Sequence, residues 1–189
     1  IIIVSNPLDA MVYAALKILK FPREQVIGMA GILDSARMSH FICEKLGYGA
    51  GQIESSVMGG HGDAMVPLVN YSTVAGVSLP ELLSKEDIED IVTKTKNGGL
   101  QIVKLLETGS AYYAPAHATS LMVEAILYNN KKIYPCSVML DGEYDCKNVV
   151  SGVPVMLGSN GIEKIIELKL NEEQKELFAN SVASVQELI

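Results

Sequence analysis

The 189-residue chain is 49% apolar and 20% charged, enough to bury one good core, or one core and part of another. Its 15 basic residues against 22 acidic ones leave a net charge of −7, which argues against nucleic acid as a partner. No apolar run is long enough to cross a bilayer and no basic segment precedes the first apolar stretch; Cys43, Cys136 and Cys146 are odd in number and lack CxxC spacing. A soluble, cytoplasmic protein with reduced thiols, no membrane partner and no metal site is therefore expected.

The chain opens with Ile1, Ile2, Ile3 and Val4 and runs straight into Ser5-Asn6-Pro7. A strand this apolar has no polar face to show to water and reads as the interior of a sheet buried on both sides. Asn6 can cap a helix and Pro7 fits its first turn. Leu8, Met11, Val12, Ala15, Leu16 and Leu19 keep a helical period to about Lys20, with Lys17 and Lys20 at the negative end of the dipole. FPRE then turns the chain into a second apolar strand, VIGMA. Strand, helix and strand at this spacing make a βαβ unit, whose parallel sheet needs more strands than these two.

From Gly31 the pattern changes. A helix from about Leu33 to Leu46 stops at Gly47, and strand-like stretches follow around Ile53 to Met58 and Pro67 to Val74. SKED at 84 to 87 has the form of a capping box, opening a long helix with a soft point at Asn97-Gly98-Gly99. Another helix from about Tyr112 to Tyr128 tolerates Pro115 only in its first turn. Strands near Ile133 to Leu140 and Val149 to Leu157 flank the turn signal Asp141-Gly142, and one more lies near Ile162 to Leu168. Asn171 starts a final helix whose Leu177, Phe178, Val182 and Val185 share a face. The class is α/β followed by mixed α+β, with residues 1–30 separate in character from residues 31–189.

Three stretches concentrate the chemistry. In GILDSARMSH, Asp34 and Arg37 are three apart near a helix start, so both leave one face of the helix; a lone DxxR is most simply a surface ion pair. In MGGHGDAMVP, glycines bracket His61 and leave its ring unshielded, though an isolated GHGD is equally a turn with a solvated histidine. In SNPLD, Asn6 sits at the carboxyl end of a parallel strand, the edge where open α/β sheets bind ligands, while its commonest role is a helix cap. His40 and His117 read as exposed or structural, and Asp63 as a loop-holding residue that bonds backbone groups.

The order NPLD, LDSAR, GGHGD, SAYYAPA closely resembles one family: the NAD-dependent malate dehydrogenases built like lactate dehydrogenase. The resemblance runs from Ile1 to the last helix. It implies that IIIVSNPLD belongs to a Rossmann-type nucleotide-binding sheet whose earlier strands, glycine fingerprint and ribose-binding acid precede it. No GxGxxG follows a strand in these 189 residues. The chain is thus expected to be the carboxyl-terminal part of a longer enzyme: residues 1–30 the end of the NAD-binding domain, residues 31–189 the catalytic and oligomerisation domain.

Oxidation of a 2-hydroxy acid removes a hydride from carbon and a proton from oxygen, so the site needs a base of near-neutral pKa. By resemblance that base is His61, with Asp34 fixing its tautomer in a proton relay. Arg37 matches the residue that anchors the substrate carboxylate, a demand a planar two-pronged donor meets better than Lys. The resemblance also gives Asn6 contacts to substrate and nicotinamide, places Met29 and Pro115 beside the cofactor NAD, and puts Ala111 in the pocket lining. His117 departs from the family pattern. GGHGD, SAYYAPA and GEYDCKN favour malate and oxaloacetate over lactate, although the arginines that read the second carboxylate would lie upstream. A homodimer or homotetramer is implied for the whole enzyme. The alternatives are a lactate dehydrogenase-type enzyme or, for this chain alone, a catalytically silent assembly module.

Overall fold

The computed structural model describes residues 1–189, Ala50 by its backbone alone. β1 (Ile2–Ile3) leads into α1 (Leu8–Leu19), a 3-10 turn at Arg23–Gln25 and β2 (Ile27–Gly28). Ile2 pairs in parallel with Ile27 and Ile3 with Gly28, which completes the βαβ unit. Two details differ from expectation. Pro7, not Asn6, holds the N-cap position of α1, and no side chain caps that end. Ile1 and Val4 are exposed and Ile2 and Ile3 half-buried, because β1 pairs with β2 alone among the described residues.

α2 (Gly31–Leu46) ends where Gly47, at φ +68°, donates its N–H to the Cys43 carbonyl, a left-handed cap that glycine adopts without steric cost. Short strands follow: β3 (Ile53–Glu54), β4 (Val57–Gly59), β5 (Met65–Pro67), β6 (Thr73–Val74) and β7 (Val77–Ser78). The single strand expected over 67–74 is broken by a 3-10 turn at Val69–Tyr71. There the Ser72 hydroxyl donates to the Leu68 carbonyl at 2.9 Å, a local bond that competes with ladder pairing.

α3 (Leu79–Leu82) precedes α4 (Lys85–Leu106), capped by Ser84, whose side chain accepts the Asp87 N–H. α4 is continuous through Gly98 and Gly99, so the expected soft point is no break. α5 (Tyr113–Leu127) keeps Pro115 in its first turn. β8 (Lys132–Asp141) and β9 (Lys147–Gly158) form a long antiparallel hairpin, followed by β10 (Gly161–Ile165) and α6 (Glu172–Gln186). Asn171 and Gln174 make a reciprocal capping box on α6. Phe178, Val182 and Val185 face the core, while Leu177, expected with them, is exposed.

The main sheet runs β1-β2-β8-β9-β4-β5, with β10 also on β9. The parallel unit joins the antiparallel hairpin where Gly28 opposes Ser137. A Cβ at Gly28 would stand 2.7 Å from the Ser137 Cβ, so glycine is required for that approach. The largest apolar cluster gathers residues of β2, β8 and β9 with Leu33, Met122 and Phe178 from the covering helices. Among the described residues, no helix is long and apolar enough to cross a membrane.

Candidate active site

α2 begins against the end of β2, which buries its first turn. Asp34 is 1% exposed there, so the surface ion pair is ruled out. One of its oxygens, Oδ1, accepts from Arg37 Nη1 at 3.1 Å; the other, Oδ2, meets His61 Nδ1 at 2.8 Å. One buried carboxylate therefore holds an imidazole and a guanidinium together. Arg37 Nε is buried without a partner among the described residues. Gly98 and Gly99 of α4 lie against this side chain: a Cβ at Gly99 would stand 3.4 Å from Arg37 Nη1.

His61 lies in the loop between β4 and β5. Gly59 turns the chain at φ +82° and Gly62 at φ +110°, conformations that L side chains rarely adopt. A Cβ at Gly59 would stand 2.7 Å from Ser181 Oγ. The loop is tied at two further points: Gly60 N–H donates to Ser181 Oγ at 2.7 Å, and His61 N–H donates to Asp9 Oδ2 at 3.0 Å. Asp63, expected to hold the loop, is exposed, and its side chain forms no hydrogen bond among the described residues. The role belongs to Asp9, which sequence reasoning passed over. A carboxylate three residues before the fully buried Val12, on the apolar side of an amphipathic helix, was the available signal.

Burial pushes the His61 pKa down, but the hydrogen bond and charge of Asp34 outweigh it and the net direction is up; Arg37 opposes and Asp9 assists. The side chain keeps 15% exposure, and its Nε2 has no protein partner among the described residues. Such a group can take up or release a proton at Nε2 while Asp34 compensates the charge. Arg37 beside it has N–H donors left without a partner among the described residues to offer a carboxylate.

The other expected site residues come from the segments after β1 and β2 and from the start of α5. Asn6 is exposed at the carboxyl end of β1. Met29 is buried in the main core, beyond the end of β2. Ala111 and Pro115 are half-buried at the start of α5. A cavity of about 370 Å³ brings Arg37 together with Ala114 of α5, His40 and Phe41 of α2, and Gly98 of α4; His61 does not line it. His40 and His117 are exposed, as expected.

Residues 32–189 match the family described as lactate/malate dehydrogenase, alpha/beta C-terminal domain. The chain belongs to the lactate/malate dehydrogenase family. Within that family it is 63% identical over all 189 residues to the malate dehydrogenase of Aliarcobacter butzleri, of which it covers 60%. The malate dehydrogenase structure from Aeropyrum pernix superposes with a TM-score of 0.96 at 46% identity, covering 99% of this chain and 60% of that one. A lactate dehydrogenase from Eimeria maxima with NADH and oxamate gives 0.96 at 42% identity, covering 99% of this chain and 58% of that one. The chain spans about 60% of the length of the curated relatives it matches.

Proposed function

We propose that this chain is the catalytic part of an NAD-dependent malate dehydrogenase, which interconverts (S)-malate and oxaloacetate when joined to a nucleotide-binding half. The observation that carries the reading is the single buried carboxylate of Asp34 shared by His61 and Arg37. Malate relatives over the whole chain support the substrate. We place the boundary between the remnant of the NAD-binding domain and the catalytic domain at residues 30 and 31, next to the start of the family match at 32.

Oxidation of the substrate releases a proton from the C2 hydroxyl. His61 accepts it at Nε2, and the ring becomes an imidazolium whose Nδ1–H donates to Asp34 Oδ2. Asp34 stays ionised and holds the ring in one tautomer. Arg37 uses the donors left over from its Asp34 bond to dock the substrate carboxylate, which fixes the C2 hydroxyl next to His61. When bound, NAD supplies the hydride acceptor. Asn6, exposed at the carboxyl edge of the parallel pair, fits the polar end of a nicotinamide, with Met29 and Pro115 as its apolar neighbours. On this reading the partner of the site is a small dicarboxylic acid, and the family resemblance adds, for the whole enzyme, further copies in a homodimer or homotetramer.

The test is made on the longer protein carrying the nucleotide-binding half. His61→Asn should lower kcat by about a hundredfold or more, and Arg37→Lys should raise KM by about tenfold or more. Near-parental turnover in either variant would remove that residue from its role. Lactate turned over in preference to malate would move the chain to the lactate-type reading.

A further inference from the structure

Asp9 is a buried carboxylate that the proton relay described above does not use. It is 5% exposed in the first turn of α1. Its Oδ2 accepts the backbone N–H of His61 at 3.0 Å, and its Oδ1 accepts the hydroxyl of Ser137. Ser137 is the β8 residue opposite Gly28, so the junction between the parallel unit and the hairpin is also what brings Ser137 to Asp9. On the preceding residue of the loop, Gly60 is tied to Ser181 of α6. Side chains from two distant elements, α1 and α6, thus hold two consecutive residues at the base of the His61 ring, and a third, Ser137 of β8, braces Asp9.

We propose that Asp9 is a positioning residue for His61: its carboxylate clamps the His61 backbone so that Nδ1 meets Asp34, and its charge favours the protonated ring. This rests on the reading of His61 as the base. Clamping alone would not need a charge, since an amide oxygen accepts the same N–H. Burial raises the Asp9 pKa against the opposing hydrogen bonds from Ser137 and His61, so the ionised form costs stability that an asparagine would not cost. The nearest ionisable ring is that of His61, whose own backbone N–H this carboxylate holds at 3.0 Å, so a charge on Asp9 bears on that ring first. The other charged groups acting on the ring are Asp34 and Arg37 of α2. β8 and α6 bring the neutral Ser137 and Ser181 to this network, and Asp63 on the loop itself is exposed.

The experiment is a nuclear magnetic resonance titration of the His61 imidazole in the 189-residue chain. Asp9→Asn keeps an acceptor for the His61 N–H and removes the charge; Asp9→Ala removes both. The asparagine variant should keep the His61 amide resonance but lower the ring's proton affinity by about three- to tenfold. The alanine variant should shift the amide and the Nδ1 resonance as well. In the unmodified chain the Asp9 carboxyl carbon should sense the His61 titration, a readout that needs no variant to fold. An unchanged His61 titration in Asp9→Asn, or no coupling between the two groups in the unmodified chain, would overturn the proposal. In the longer protein the same shift should move the acid limb of kcat/KM to lower pH. A shifted His61 titration without any dehydrogenation there would sink the functional reading while leaving the role of Asp9 intact.

Discussion

At the scale of single residues, Asp34 is the group on which the site depends, because it is the shared acceptor for His61 and Arg37. Its effect on His61 has a defined sign with pH. The imidazole pKa is raised in the fold despite its burial, so the charged pair contributes stability that is full below about pH 6.5, the unfolded value. That contribution is lost as pH rises through the folded value. Asp34→Asn should therefore destabilise the chain more at pH 5.5 than at pH 8.5, as read by urea denaturation at the two values. An equal loss at both would show that the His61 pair adds nothing. Asp34, Arg37 and His61 were legible in the sequence as candidates through the order of LDSAR and GGHGD along the chain, since each pattern alone reads as a surface ion pair or a solvated turn. Asp9 was not, because its partners are His61 and Ser137, far away along the chain.

At the scale of elements, the most informative contact ties the turn before β2 to the end of the β8–β9 hairpin. Arg23 donates to both oxygens of Glu143 and to the Met139 carbonyl. The Arg23 hydrogen bond, against opposing burial and with help from the Asp141 N–H, holds the Glu143 carboxyl down at about 2. A depressed carboxylate stabilises the fold above its unfolded pKa and loses that effect as pH falls through the folded value. Glu143→Gln should thus lower the thermal midpoint at pH 7 and make little difference near pH 2, a comparison calorimetry can make. The sequence marked the hairpin itself, through apolar runs on either side of Asp141-Gly142. It also marked α6 through Asn171. It misjudged α4, because glycines are weak helix formers in isolation. Here Gly98 and Gly99 are kept in the helix while packed against Arg37, a contact no local pattern announces.

At the scale of the whole molecule, two apolar regions stand open. One is formed by Ile1, Val4, Ile18 and Phe21 around the βαβ unit; the other includes Leu105, 84% exposed, and Tyr113, 81% exposed, around the α4–α5 connection. Exposed apolar surface of this kind favours association, and β1 leaves its edge away from β2 unpaired among the described residues. The 189-residue chain should self-associate, with a light-scattering mass that rises with concentration. A constant monomer mass would contradict this.

The sequence by itself determined the βαβ start, the caps of α4 and α6, the hairpin and the family, and it singled out Asp34, Arg37 and His61 as candidates. Each of these depends on residues close together in the chain, or on short motifs whose order is distinctive. Only the tertiary structure decided that one carboxylate serves both His61 and Arg37, that Asp9 rather than Asp63 holds the histidine loop, and that Gly28 lets the two halves of the sheet meet. These facts arise from burial and close approach between distant segments. Neither is encoded in the spacing of neighbouring residues.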